Sequence, residues 1–233
     1  MAAGTGRWYT PIMQKGYLLT GYRLFFGLLG FSAVVTEAAT VQARGKAPLV
    51  NVFSYFTVES NLYAAAILLL SASAVAPALP PRLLALLRGA ATLYMATTGI
   101  VFAVLLAGIE GVAFTAVPWD NIVLHYIMPV AVTVDWFVDL PAQRLTFGRA
   151  AVWFVFPLAY VAYSLIRGPV VGWYPYPFLD PRTHGYGGVA GTSVAIALAV
   201  AVFIWVLTRF TGRTRSGPGR RRDSEFTPPH VER

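Results

Sequence analysis

The stretch SYFTVESNLYAAAILLLSASAVA, residues 54–76, decides the fold, because an apolar run follows directly on a polar head. About 20 helical residues cross the ~30 Å hydrocarbon core of a membrane, so this segment predicts a membrane-spanning helix. Its head nevertheless carries Ser54, Thr57, Glu59, Ser60 and Asn61. Polar groups are costly inside a membrane, so these residues are candidates for a functional role.

The composition of the whole chain agrees with a membrane protein. Of 233 residues, 57% are hydrophobic and 12% are charged, whereas soluble domains are rarely more than half apolar. The absence of cysteine excludes disulfides, thiolate metal sites and a cysteine nucleophile. A net charge of +8 would suggest nucleic-acid binding in a soluble protein. Here the charge distribution indicates orientation in a bilayer, so we expect no nucleic-acid partner.

Six apolar segments separated by prolines predict an all-α, polytopic six-transmembrane-helix bundle. We expect a short N-terminal segment at 1–15, a membrane domain at 16–210 and a disordered basic tail at 211–233. A cleaved signal peptide is the competing interpretation of the first segment, but Arg23 interrupts it and it is too long. The predicted spans are 17–41, 51–76, 83–108, 119–139, 149–167 and 189–210.

Basic residues predict the orientation, because cytoplasmic loops are enriched in Lys and Arg. With a cytoplasmic N-terminus, the outer side carries only Arg44, Lys46, Arg167 and Arg182. Arg23 lies within a span, and all other basic residues, Arg88 among them, fall on the cytoplasmic side. Six spans then place both termini in the cytoplasm. The Arg-rich, Ala-rich composition suggests a bacterial cytoplasmic membrane, and tail arginines could contact membrane lipids or simply flank the last span.

Depth along the helices brings two reactive side chains to one layer. Thr57 lies nine residues after Pro48 and His125 seven after Pro118, so both are roughly 10–14 Å below the outer face. Glu37, near the outer end of helix one, is expected in or just above the same layer. We therefore predict a polar pocket in the outer leaflet.

The pair has a chemical interpretation and a structural one. A threonine hydroxyl becomes a nucleophile when a base such as neutral imidazole takes its proton. Asn121, one turn before His125, could fix the imidazole tautomer, and Ser60 or Asn61 could bind an oxyanion. Such a dyad requires the two groups within about 6 Å, and favours a lipid-like substrate. Alternatively, the polar groups bond helices together or line the cavity of a solute transporter or binding protein.

Arg23 and Asp135 are expected at similar depth near the cytoplasmic ends of helices one and four. A buried charge requires a partner, so we predict a structural ion pair. The three histidines fall on different elements, so we expect no metal site and no cofactor.

Three stretches together resemble a known family: SYFTVESNLY (54–63), NIVLHYIMPVAVTVDWFVD (121–139) and GWYPYPFLDPRTHGYGG (172–188). They are similar to bacterial six-span proteins related to the androgen-induced-gene and androgen-dependent-TFPI-regulating proteins. The eukaryotic relatives are membrane threonine hydrolases of fatty acid esters of hydroxy fatty acids. The resemblance implies that Thr57 and His125 are the catalytic pair, and no cofactor.

The segment WYPYPFLDP, between helices five and six, is characteristic of the bacterial branch. Its prolines and aromatic rings predict a stiff amphipathic turn at the headgroup level. We expect either a lid over the pocket, formed by residues such as Tyr174 and Tyr176 with Asp180 or His184 reaching the site, or an aromatic anchor without further role.

Overall fold

The computed structural model describes residues 9–45, 47–109 and 115–212, with side chains from residue 16 onward. The described residues are almost entirely helical and contain no strand, so the predicted all-α fold is confirmed. A short helix, Leu49–Val52, precedes α2. The six main helices are α1 (Tyr9–Arg44), α2 (Phe56–Ala72), α3 (Pro81–Leu106), α4 (Pro118–Val138), α5 (Phe147–Val171) and α6 (Pro181–Arg209).

Five of these helices are long and apolar enough to cross a membrane, and α2 is a shorter apolar helix. Large hydrophobic side chains cover the outside of the bundle, including Val104, Ile166 and Val170, which are more than 70% exposed. A soluble protein would rarely leave such a surface to water, so the helices indicate a membrane protein.

Contacts at the two ends show that consecutive helices alternate in direction. Arg44 at the end of α1 donates to the Ala116 carbonyl just before α4, and Arg167 near the end of α5 donates to Asn51. At the opposite end, Thr211 after α6 accepts from Leu145 before α5. We call the first of these the upper end and the second the lower end.

Several helix boundaries differ from the predicted spans by three residues or more, and three of the starts are informative. Helix α2 begins at Phe56 rather than at residue 51, because the chain turns at Phe53–Tyr55 after the short helix. Helix α6 starts at Pro181 rather than 189, where the Asp180 carboxylate caps it and proline is favoured in the first turn. Gly185, with φ 66° and ψ 170°, kinks this helix, so its regular part begins after Gly185, close to the predicted start. Helix α1 already starts at Tyr9, inside the predicted N-terminal segment.

The predicted tail, residues 211–233, lies outside the described residues from 213 onward. Its first two residues pack on the bundle, because Thr211 is buried and the Gly212 N–H donates to the Pro141 carbonyl. The chain is therefore ordered for two residues beyond the predicted start of the tail.

A cluster of four charged residues ties three helices together at the lower end. Arg23 Nε lies 2.6 Å from Asp135 Oδ1, and Arg23 also contacts Asp139 at 2.6 Å. Arg88, which we assigned to the cytoplasmic flank, is instead buried and lies 2.9 Å from Asp135 and 3.1 Å from Asp139. Asp135 therefore has two cationic partners rather than one. We call Arg23, Arg88, Asp135 and Asp139 the lower ion cluster.

Helix α4 contains a π-helical turn, Val123–Ile127, immediately before Pro129. Proline has no N–H, so it cannot continue the regular ladder of helix hydrogen bonds. Gly99 of α3 faces this turn, and a Cβ there would lie 2.9 Å from Pro129. The missing side chain lets α3 approach α4 closely, and the widened turn presents His125 to the bundle interior.

Candidate active site at the start of α2

Thr57 lies in the first turn of α2, directly after the break at Phe53–Tyr55. Backbone N–H groups in a first turn have no partner within the helix. The Thr57 N–H donates instead to the Tyr176 hydroxyl at 3.2 Å. The side chain is 7% exposed, so both its hydroxyl and its backbone N–H face the interior of the bundle.

The structure brings Thr57 and His125 together. Thr57 Oγ1 lies 3.3 Å from His125 Nε2, and His125 Nδ1 lies 3.2 Å from the Asn121 carbonyl oxygen. A carbonyl only accepts hydrogen bonds, so this contact places the ring proton on Nδ1. Nε2 is then free to accept the proton of the Thr57 hydroxyl.

The imidazole is also fixed from the side. The Phe102 ring stacks on it with centroids 3.9 Å apart and planes inclined by 25°. His125 is 5% exposed, so little water reaches the ring except through the site. Stacking and the Asn121 contact together hold Nε2 toward Thr57.

Tyr176 completes a chain of hydrogen bonds. Its hydroxyl lies 3.2 Å from Thr57 Oγ1 and accepts the Thr57 N–H. If Thr57 donates to His125, Thr57 Oγ1 is the acceptor for the Tyr176 proton. Burial raises the pKa of Tyr176 to about 12, so the phenol stays protonated at neutral pH and remains a donor.

The other predicted pocket residues have different surroundings. Asn61 Nδ2 donates to the Thr57 carbonyl at 2.8 Å and the Leu124 carbonyl at 3.2 Å, so it is occupied in joining α2 to α4. Ser60 Oγ and Asn121 Oδ1 are buried without a hydrogen bond, and Asn121 acts on His125 through its backbone. Glu37 accepts the Ala116 N–H at 2.7 Å.

The segment between α5 and α6 lies against the site, but of its predicted lid residues only Tyr176 reaches Thr57. Tyr176 reaches Thr57, whereas the Tyr174 ring packs against Gly168 of α5. Asp180 caps α6 and bonds the Arg182 guanidinium, which lowers the pKa of the Asp180 carboxyl. His184 is exposed. Neither Asp180 nor His184 lines the cavities at Thr57, so neither reaches the site as we expected.

A large apolar cavity opens beside the Thr57 hydroxyl. Its volume is about 280 Å³, and aromatic and aliphatic side chains of α3, α5, α6 and the Tyr176 segment form most of its wall. A second apolar cavity of about 280 Å³ between α3 and α6 shares Thr97, Val101, Ile196 and Val200 with it. The residues that the two cavities share indicate a lateral opening between α3 and α6, toward the outside of the bundle.

The sequence analysis missed two polar groups near the site. Tyr176 was placed only in a lid, and Asp120 was not considered. Asp120 is fully buried in the first turn of α4, where its carboxyl faces Glu37 and Thr115 without a hydrogen bond of good geometry. Its position two residues after Pro118, in a first turn like that of Thr57, was an available signal.

Comparisons with known proteins found no relatives: no family model matches the chain, and neither a curated protein nor a solved structure matches it. Among the residues with described side chains, no group of three potential metal ligands occurs. The geometry at Thr57 is therefore the feature of the molecule that bears on its function.

Proposed function

We propose that the protein is a membrane hydrolase that cleaves lipid esters with Thr57 as the nucleophile. The observation that carries the proposal is the 3.3 Å contact from Thr57 Oγ1 to His125 Nε2, with Nδ1 directed to the Asn121 carbonyl. A nucleophile, a base and a group that orients the base are the three parts of this kind of catalysis.

In the first half of the reaction, His125 Nε2 takes the Thr57 proton while Oγ1 attacks the ester carbonyl. The carbonyl oxygen becomes negatively charged, and two donors lie at the hydroxyl: the Thr57 N–H and the Tyr176 phenol. This assignment replaces Ser60 and Asn61 as oxyanion donors, because the Thr57 N–H has no partner within the helix and bonds only the Tyr176 hydroxyl, which a substrate oxygen could replace. His125 then protonates the leaving alcohol, and an acyl-threonine remains.

The apolar cavity fits the acyl part of such a substrate. It begins at Thr57 and extends toward the opening between α3 and α6, so a lipid could reach the site sideways from the membrane. Pockets of this size, apolar with a few polar groups at one end, are typical of small-molecule sites. The resemblance noted above favours fatty acid esters of hydroxy fatty acids as the substrate class.

The distribution of basic residues supports an orientation in which the upper end faces outward and both termini are cytoplasmic. The site would then lie in the outer leaflet. Cysteine substitutions at the exposed positions Ala47 and Ala142 test this orientation, because a membrane-impermeant thiol reagent should label only the upper position in intact cells.

Labelling with an alkyl fluorophosphonate tests the activity. The wild-type protein in detergent should react at Thr57 with loss of fluoride, and Thr57→Ala and His125→Ala should not react. Thr92→Ala is a matched control, because Thr92 is equally buried in α3 but bonds the Arg88 carbonyl away from the cavity. It should label like the wild type.

The outcome separates the two interpretations of the pair. Labelling that persists in Thr57→Ala, or a folded wild type that does not label, would contradict the hydrolase. A non-enzymatic protein with the same pocket would instead bind a solute and transport it into proteoliposomes at a rate independent of the Thr57 hydroxyl.

A further inference from the structure

A much smaller cavity also borders Thr57, on the side away from the large apolar cavity. Its volume is about 20 Å³, and its polar wall includes Glu37, Thr57, His125 and Tyr176. Thr57 and Tyr176 line both this cavity and the large apolar one. The nucleophile thus lies between an apolar space and a polar space.

The small cavity has the size and chemistry of a water site. A cavity needs about 10–15 Å³ to hold one water, and the water needs two to four polar partners. Thr57, His125, Tyr176 and Glu37 line the cavity, and each has a polar side-chain group that could bond a water there. An acyl chain could not be accommodated there.

The small cavity adjoins a route to the upper surface. Another cavity, of about 280 Å³, lies at the upper end and shares Glu37, Val52, Tyr55 and Thr115 with the small cavity. The outer wall of this upper cavity includes the exposed residues Arg44 and Ala47 and the half-buried Trp173. Polar and exposed lining residues make this route accessible to water, unlike the apolar cavity on the other side.

Glu37 stands where the two polar cavities meet. One of its oxygens, Oε2, is held by the Ala116 N–H at 2.7 Å, which fixes the carboxylate between α1 and the start of α4. Asp120 and Thr115 face it from α4 and the chain before it. The Ala116 N–H therefore holds the Glu37 side chain in position at the wall of both cavities, with the Asp120 carboxyl beside it.

We propose that the small cavity holds the hydrolytic water, which arrives from the upper surface, and that Glu37 is the residue that positions it. This inference rests on the proposed function and concerns only its second half. His125 Nε2 takes a proton from the water as the water oxygen bonds to the acyl carbon. The bond from that carbon to Thr57 Oγ1 then breaks, Oγ1 takes the proton from His125, and the carboxylic acid leaves through the apolar side.

The test separates acylation from deacylation. Purified full-length protein in detergent is mixed with a p-nitrophenyl ester, and both the burst of p-nitrophenol and the steady-state rate are measured. For Glu37→Gln we expect an unchanged burst and unchanged fluorophosphonate labelling. The steady-state rate should fall by about 10- to 100-fold, since misplacing a reacting group by about 1 Å has effects of this order. Intact mass should show acylated Thr57 accumulating.

Two further variants keep the test decisive. Val52→Leu adds a methylene to the wall of both polar cavities without touching Glu37, and should produce the same accumulation. Glu59→Gln removes a carboxylate from the first turn of α2 that lines neither polar cavity, and should turn over like the wild type.

Normal deacylation in both Glu37→Gln and Val52→Leu would overturn the water site while leaving the hydrolase intact. Loss of the burst in each of the two single variants, Glu37→Gln and Val52→Leu, would also overturn the water site. Both substitutions would then slow formation of the acyl-enzyme rather than its hydrolysis. A wild type with neither burst nor labelling would overturn the proposed function itself.

Discussion

The two ends of the bundle differ in how their buried charged side chains are paired, although Arg88 Nε and Trp136 Nε1 at the lower end also lack a hydrogen bond. In the lower ion cluster, each charged side chain has an opposite charge within 3.1 Å. At the upper end, Ser60 Oγ, Asn121 Oδ1 and the Asp120 carboxylate are buried without a hydrogen bond, and Thr57 and His125 meet at a cavity wall. Paired charges are typical of structural clusters, whereas unpaired buried groups call for another explanation, such as a catalytic role.

The difference has an energetic meaning. Removing one partner from a buried ion pair leaves an uncompensated charge and costs about 3–5 kcal/mol. A buried polar group that has no partner already destabilises the fold, so removing it relieves that cost. The lower end should therefore determine stability and the upper end reactivity, and variants at each end test whether the two properties separate.

The largest effect is expected on reactivity at the upper end. Without the base, His125→Ala should react with an alkyl fluorophosphonate about 10³-fold more slowly, which is within the usual contribution of general base catalysis. The rate of covalent labelling measures this directly. The free energy of unfolding should fall by about 1–3 kcal/mol, less than at the lower end, because the variant loses the Phe102 stacking and two hydrogen bonds but strands no charge. A strongly destabilised variant would contradict the separation of the two ends.

At the lower end we expect a large effect on stability and none on reactivity. Asp135→Asn removes the charge that bonds both Arg23 and Arg88, and should lower the free energy of unfolding by about 3–5 kcal/mol. Unfolding in mixed detergent micelles with increasing dodecyl sulfate measures this change. The fraction that remains folded should label at Thr57 at the wild-type rate, and a slower rate there would show that the ends are coupled.

A smaller effect on reactivity is expected for Tyr176→Phe. It removes the phenol donor beside Thr57 Oγ1 while keeping the ring, and leaves the Thr57 N–H as the other proposed oxyanion donor. Loss of one such donor typically slows catalysis about 100-fold. The measurement is ester turnover by the purified variant. Tyr174→Phe is the control from the same segment, because that ring packs on Gly168 rather than at Thr57. Equal losses in both variants would assign Tyr176 a packing role instead.

The smallest effect is expected for Asp139→Asn. The Asp139 side chain is 44% exposed, and ion pairs near water contribute only about 0–1 kcal/mol. The same micelle unfolding experiment should therefore show a loss several-fold smaller than for Asp135→Asn. A loss as large as that of Asp135→Asn would show that the lower ion cluster acts as one unit.

Much of the fold could be predicted from hydropathy because spans of this length have few alternatives. The six apolar segments matched six helices, and α3 and α4 begin within two residues of the predicted positions. The start of α2 was harder, since residues 51–55 (NVFSY) mix apolar and polar side chains and contain no proline or glycine to mark the turn. Hydropathy does not distinguish a helix from a turn that is buried among other helices.

Part of the site followed from counting residues along each helix. Depth alone placed Thr57 and His125 in one layer, but it could not give the rotation of α2 and α4 that aligns their side chains. Tyr176 reaches Thr57 from a segment 119 residues away in sequence, which no helical spacing relates to α2. Similarly, counting basic residues placed Arg88 on the cytoplasmic side but could not show that its guanidinium is buried against Asp135.

The shortness of α2 has a consequence for how the protein is made. Seventeen residues rise only about 26 Å, less than the ~30 Å core, and the first turn of the helix is polar and buried. Alone in a bilayer, α2 would leave Thr57, Ser60 and Asn61 facing lipid. During synthesis it should therefore be retained poorly until α4 emerges and accepts the Asn61 hydrogen bond, so the site is assembled only after the fourth helix has been inserted.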